Sequence, residues 1–258
     1  MKNHFKRKLY DPVAAPPLSL FIGAPSAALV EMAAYAGFDA VVLDNEHGTF
    51  THEQLEVLCA VAENAGVTPV VRVVSGEPAE ILKALDRGAH GLHVPQVNSR
   101  EEAERVVEAV KYPPLGRRGA AFSIRAARFG TVPVDGYLEE ANREISIAVH
   151  IETERALERI DEILTVPGLD VAYIGPTDLS VSLGCGGRTD APRVLEAIDA
   201  VLASGRRHGV KVGIHVKDAA AARDRLRWGA DYVGTTWTAL INGAFTGYIH
   251  GAREGGAR

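Results

Sequence analysis

Cysteine is scarce. The chain has two in 258 residues, Cys59 in an expected helix and Cys185 in a glycine-rich loop. Without a CxxC or a Cys/His spacing, these two thiols argue against a disulfide framework and against a structural zinc site. No apolar run approaches the ~20 residues that span a membrane. The N-terminus, M-K-N-H-F-K-R-K-L-Y, is basic but lacks the apolar core of a signal peptide. Net charge is −5 with both signs spread along the chain, so there is no basic face for nucleic acid. At 47% hydrophobic and 24% charged residues, disorder is excluded as well. These absences predict a soluble cytoplasmic protein with neither a nucleic-acid nor a membrane partner.

A nucleotide-binding signature is also missing. No G-x-G-x-x-G follows the first apolar run, which argues against an open doubly wound sheet. The G-C-G-G run at Gly184–Gly187 is followed by no Lys-Ser/Thr pair, so it reads as a turn. What the chain does contain is a regular alternation. Short apolar runs occur at Leu18 to Ile22, Ala40 to Leu43, Thr68 to Val73, Gly91 to Val94, Ile145 to Ile151, Val171 to Ile174, Val210 to Val216 and Asp231 to Thr235. Near-continuous runs of this length suit strands covered on both faces.

Amphipathic segments lie between the runs. Ser26 opens a helix through about Tyr35. Thr51 and Gln54 form a capping-box pattern ahead of Leu55, Leu58, Cys59 and Ala62, and Pro78 marks another helix start. Glu101 to Val110 is a further helix, and Ala156, Leu157, Ile160 and Ile163 share one face of the next. Val194 to Leu202 is helical, Lys111 to Gly130 has no clear period, and Leu240 to Ile249 reads as a short, mildly apolar segment. Eight β–α units in one composition regime predict a single (β/α)8 TIM barrel over residues 1–258.

In such a barrel the chemistry sits at the C-terminal ends of the strands. Strand two ends in Asp44, Glu46 and His47, strand three in Arg72, and strand five in His150 and Glu152. Strand six leads into Asp178, and strand seven ends in His215. Each residue alone has a plain structural reading. An arginine or glutamate at a strand end can be a rim ion pair, and Asp178 could cap the helix that begins near Leu179. The set converging on one mouth is harder to dismiss.

Two carboxylates with room for water suit a hard divalent cation such as Mg²⁺ or Mn²⁺. A 2-oxo acid offers such an ion a carboxylate oxygen and a carbonyl oxygen. An arginine beside it can stabilise an enolate oxygen, and a histidine can move protons. No strand carries a lysine at its C-terminal end, so no Schiff-base lysine is available; Lys211 opens strand seven at the wrong end.

Six ordered motifs then resemble the HpcH/HpaI family of class II 2-oxo acid aldolases over nearly the whole chain. They are F-D-A-V-V-L-D-N-E-H-G, P-V-V-R-V, L-D-R-G-A-H-G-L-H-V-P-Q-V-N-S, Y-P-P-L-G-R-R-G, V-H-I-E-T and Y-I-G-P-T-D-L-S. The resemblance implies a barrel whose last helix swaps between subunits, usually in a hexamer. It implies that Glu152 and Asp178 bind a divalent metal (Mg, Mn or Co) and that Arg72 contacts the keto oxygen. His47 would be the acid–base residue, oriented by Asp86, with Asp44 holding its loop. The backbone N–H groups of Thr177 and Asp178 would hold the substrate carboxylate.

Two departures bear on the substrate. The family usually has Gln where this chain has His150, and Leu where it has His215. Two extra histidines favour a further carboxylate on the substrate, which raises oxaloacetate beside pyruvate; alternatively, both are neutral donors filling the space of Gln and Leu. The expected activity is carbon–carbon lysis of a 4-hydroxy-2-oxo acid through a pyruvate or oxaloacetate enolate, with an aldehyde as partner. The alternatives are the family's siderophore-pathway citrate synthase branch, joining oxaloacetate and acetyl-CoA, and a non-catalytic barrel that binds a 2-oxo acid. Selectivity for the partner is expected from mouth loops and a neighbouring subunit, with Arg125 and Arg128 as candidates.

Overall fold

A computed structural model describes residues 2–254. Its eight parallel strands are β1 (Leu18–Ile22), β2 (Ala40–Asp44), β3 (Thr68–Arg72), β4 (Gly91–Val94), β5 (Ser146–Ile151), β6 (Val171–Ile174), β7 (Lys211–His215) and β8 (Tyr232–Thr236). Each pairs with its neighbour in sequence and β8 returns to β1, closing the barrel. Helices cover the outside, and the architecture is the expected (β/α)8 TIM barrel. No helix among the described residues is long and apolar enough to cross a membrane.

The strand residues alternate between two cores. Ile22, Leu43, Val71 and Ile174 point outward under the helices, and their neighbours Phe21, Val42, Val70 and Tyr173 point into the barrel. This double burial is why the runs are apolar at nearly every position. Local signals set the helix starts. Ser26 caps Ala27–Ala36, Thr51 and Gln54 make the reciprocal capping box of His52–Ala65, and Pro78 opens Pro78–Asp86.

The structure differs from the sequence expectations in several places. The helix after β5 is two short helices, Glu154–Glu158 and Ile160–Leu164. The irregular stretch after Val110 ends in a 3-10 turn at Arg125–Gly130 and is followed by a helix, Tyr137–Glu144, whose polar surface hid it. The last segment is an 18-residue helix, Trp237–Glu254, and not a short one. Its Phe245 and Tyr248 are 66% and 76% exposed.

The basic N-terminus forms a helix, His4–Tyr10, that plugs the barrel floor. Phe5 and Leu9 enter the inner core, a burial that contributes about 1.5–3 kcal/mol each. Lys6, Arg7 and Lys8 meet Asp170, Glu144 and Asp39 at 3.0, 2.8 and 2.7 Å.

Two glycines make room for the bulky interior. A Cβ at Gly213 would lie 2.2 Å from a Tyr232 ring carbon, and one at Gly234 would lie 2.5 Å from the Tyr173 hydroxyl. Gly213→Ala is therefore expected to cost roughly 1–3 kcal/mol through overpacking, read as a lowered urea midpoint; an unchanged midpoint would show that the tyrosines can move aside.

Candidate active site

The loop leaving β2 is built around Asp44. Its Oδ1 accepts the backbone N–H groups of Glu46 and His47, both at 3.2 Å. Gly48 closes the turn, since a Cβ there would lie 2.1 Å from the Asp44 carbonyl oxygen. Both Asp44 oxygens also grip Arg72, with Nε donating to Oδ1 at 2.8 Å and Nη2 to Oδ2 at 2.6 Å. This fork-on-fork pair fixes the guanidinium plane. Burial alone would raise the Asp44 carboxyl, but the Arg72 bonds and charge outweigh it and hold it below its ordinary value.

The third guanidinium nitrogen, Arg72 Nη1, lies 3.0 Å from Glu46 Oε2. That oxygen is buried and has no hydrogen bond of good geometry, so the contact is ionic rather than directional. Burial, reinforced by the charge of Glu152 and only partly offset by Arg72, lifts the Glu46 carboxyl above its ordinary range. Glu46 is thus a direct partner of Arg72.

Glu152 follows β5 and is 5% exposed. Its Oε1 accepts the Gln96 backbone N–H at 2.8 Å, and its Oε2 lies 3.2 Å from His150 Nδ1. Gln96 reaches this bond with a left-handed φ of 53°, a strained conformation for a non-glycine residue. Burial opposes the Glu152 charge, yet the His150 bond, the Gln96 N–H and the Arg72 charge bring its pKa below the usual value. Asp178 sits in the first turn of Pro176–Ser182. A Cβ at Gly175 would lie 3.1 Å from Glu152 Oε2 and 3.6 Å from Asp178 Oδ2, so the two carboxylates crowd one point beside a glycine. Among the described residues there is no group of three or more His, Cys, Asp or Glu side chains that could hold a metal. Two hard oxygen donors with open space fit Mg²⁺ or Mn²⁺, which keep water or substrate on their other positions. The first intrahelical bond, Leu179 N–H to the Gly175 carbonyl at 2.9 Å, leaves the N–H groups of Thr177 and Asp178 outside the helix ladder.

Beneath this mouth the barrel interior is polar and aromatic. His150 Nε2 lies 2.9 Å from His93 Nδ1, and His93 Nε2 lies 2.8 Å from the Tyr232 hydroxyl. Tyr173 stacks at a tilt on His150 with 5.0 Å between ring centres. His215, at the end of β7, is pulled down to about 4 by burial, then by Arg72 and His150. It is therefore a neutral ring at pH 7. His93, Tyr173 and Tyr232 are site residues that the strand-end reading missed. The one signal in the sequence was a histidine and two tyrosines inside otherwise apolar runs.

Within the single chain two expectations are corrected, those for Asp86 and His150. Asp86 ends helix Pro78–Asp86, which leaves the mouth after β3 and descends to the start of β4. Asp86 therefore lies at the opposite face, where its Oδ1 accepts from Arg118 Nη2 at 2.8 Å, and it cannot orient His47 within one chain. His150 uses both ring nitrogens on His93 and Glu152, so it has none for substrate. Arg125 pairs with Glu63, near the C-terminal end of His52–Ala65 at the barrel floor, and so is absent from its own chain's mouth. His47 does reach the rim, where its side chain is 65% exposed with Glu46 Oε2 at 3.9 Å. Lys211 pairs with Asp231 at 2.9 Å at the start of β7.

A closed parallel barrel with an arginine and two carboxylates at its mouth defines a class of enzyme that handles small oxygen-rich acids. The model of the HpcH/HpaI aldolase/citrate lyase family matches residues 18–241, and the chain belongs to that family. Family membership places it among the aldolases and lyases that make or break carbon–carbon bonds. It is 37% identical to a 2-keto-3-deoxy-L-rhamnonate aldolase of Salmonella gallinarum over 90% of this chain and 86% of that one. A solved family member from Burkholderia cenocepacia J2315 superposes with a TM-score of 0.92 at 32% identity, covering 98% of this chain and 100% of that one. The citrate synthase SbnG gives 0.89 at 27% identity, covering all of both chains.

Proposed function

We propose that this enzyme cleaves, or forms, 4-hydroxy-2-oxo acids through the enolate of pyruvate or oxaloacetate. One observation carries the reading. The Arg72 fork is locked by Asp44 at the same mouth where Glu152 and Asp178 crowd Gly175. The named substrate of the Salmonella relative, a 2-keto-3-deoxy sugar acid, is of this chemical class.

Glu152 and Asp178 would hold a divalent ion, Mg²⁺, Mn²⁺ or Co²⁺, which when bound polarises the 2-oxo acid as a Lewis acid. The chain's own groups do the rest. Arg72 stabilises the negative charge that gathers on the keto oxygen as the C3–C4 bond breaks. The N–H groups of Thr177 and Asp178 receive the substrate carboxylate. His47, on the solvent side of the rim, takes the proton of the 4-hydroxyl as the aldehyde leaves. His215, being neutral, offers a hydrogen bond without charge to a further carboxylate.

Incubation with 4-hydroxy-2-oxo acids and each metal is expected to release pyruvate, and pyruvate's methyl protons are expected to exchange in deuterated water. Tight pyruvate binding with neither outcome would favour the non-catalytic barrel over the aldolase. The likeness to SbnG supports a second reading, synthesis of citrate from oxaloacetate and acetyl-CoA. Free CoA and citrate appearing from that pair, with no aldol cleavage, would replace the first reading by the second.

The exposed apolar face of Trp237–Glu254 supports a helix exchanged between subunits in a hexamer. Phe245→Asp is expected to shift the species seen by light scattering to a smaller one; an unchanged mass would remove this helix from the interface.

A further inference from the structure

The turn that leaves β4 is bent against the preference of its own residue. Gln96 sits in the left-handed region, where a side chain is crowded, yet that side chain is exposed while Pro95 and Val97 on either side are buried. Its backbone makes the contacts. The N–H donates to Glu152 Oε1 at 2.8 Å, and the carbonyl accepts from Asn98 Nδ2 at 2.6 Å. Core packing does not call for this bend. The bond to Glu152 does.

Asn98 is placed to hold the turn. Its own backbone N–H donates to Glu102 Oε2 at 2.6 Å, which ties it to the first turn of the helix Arg100–Val110. Its side-chain amide faces two groups. The Gln96 carbonyl can only accept, so the amide NH2 must be turned toward it. That leaves Asn98 Oδ1 to the Thr153 hydroxyl, which donates to it while accepting the Ala156 N–H at 3.0 Å. The orientation of the amide follows from its partners and involves no titratable group. Thr153 directly follows Glu152 in the chain and caps Glu154–Glu158. Asn98 therefore joins the turn that holds Glu152 Oε1 to the residue just after Glu152. The other oxygen, Oε2, is the one that faces Gly175.

We propose that Asn98 is a positioning residue for the Glu152 carboxylate: it holds Gln96 in the left-handed turn, so that the Gln96 N–H fixes Oε1 and leaves Oε2 toward Asp178. The inference rests on the reading of Glu152 as a metal-holding group, a kind of ligand that its outer partners orient. A glycine enters the left-handed region without a Cβ penalty, so a turn with glycine at position 96 does not need the clamp. This separates positioning from packing.

The test uses the full-length enzyme, with Mn²⁺ affinity followed by electron paramagnetic resonance. Asn98→Ala is expected to weaken binding roughly 10–100-fold. Adding Gln96→Gly to Asn98→Ala is expected to return the affinity to within about threefold of the wild type. An unchanged affinity in Asn98→Ala overturns the proposal, and so does an equal loss with and without Gln96→Gly. The second readout needs no metal. Hydrogen exchange at the Gln96 amide, followed by NMR, is expected to quicken at least about tenfold in Asn98→Ala. If Asn98→Ala does not fold, the nearly isosteric Asn98→Asp keeps the acceptor for Thr153, loses the donor to Gln96 and is read by the same exchange. A Gln96 amide that exchanges freely in the wild type, or protection unchanged in the variant, overturns the proposal. Wild-type enzyme that binds no Mn²⁺ would sink the metal reading, and the amide exchange alone would then decide this one.

Discussion

Arg72→Ala is expected to lower turnover by about 10²–10³-fold, the range for removing a preorganised donor from a developing oxyanion. The reason lies in how the side chain is held. Asp44 grips Nε and Nη2, so the guanidinium does not reorient when charge builds on the substrate. Arg72→Lys is expected to recover little, because an ammonium cannot keep the two-pronged contact with Asp44. Circular dichroism and a thermal melt separate this from unfolding, since the buried Asp44 would lose its main partner. A loss below about tenfold in a folded variant would remove Arg72 from the chemistry.

Removing the metal is the second large effect. Dialysis against a chelator is expected to abolish cleavage, and Mg²⁺, Mn²⁺ or Co²⁺ added back is expected to restore it. Glu152→Gln is expected to mimic the chelated state. The carboxylate accepts from Gln96 on one oxygen and faces His150 Nδ1 with the other. An amide would either set its NH2 against the Gln96 N–H, a donor–donor clash, or turn it to His150 Nδ1, which would then have to accept. The same change removes the charge a hard cation needs. Full activity in the chelated enzyme would end the metal assignment, and a fully active Glu152→Gln enzyme would move the metal site elsewhere.

How far the site was legible follows from which interactions are local. Arg72, Glu152, Asp178 and the Asp44–His47 loop could be gathered from the sequence because a closed parallel barrel brings every strand's C-terminal end to one face. The strands themselves could be read because burial on both sides leaves apolar runs. The polar line through His93 could not be read in this way. His93, His150 and Tyr232 lie on three different strands, and only the register and tilt of the barrel bring their polar atoms to within 3 Å. Asp86 failed for a related reason. Its spacing after Arg72 carries no information about which end of the barrel a helix of nine residues reaches, until the chain direction is traced.

By itself, the sequence determined the barrel, the apolar alternation, the helix caps and the set of charged groups at the mouth. These depend on the order of residues along the chain and on the two periodicities of strand and helix. Tertiary structure alone decided that the basic N-terminus is a floor plug, that Arg72 is shared between Asp44 and Glu46, and that His150 faces inward to His93. Each of those is a contact between residues distant in sequence, set by distance and burial rather than by any local pattern.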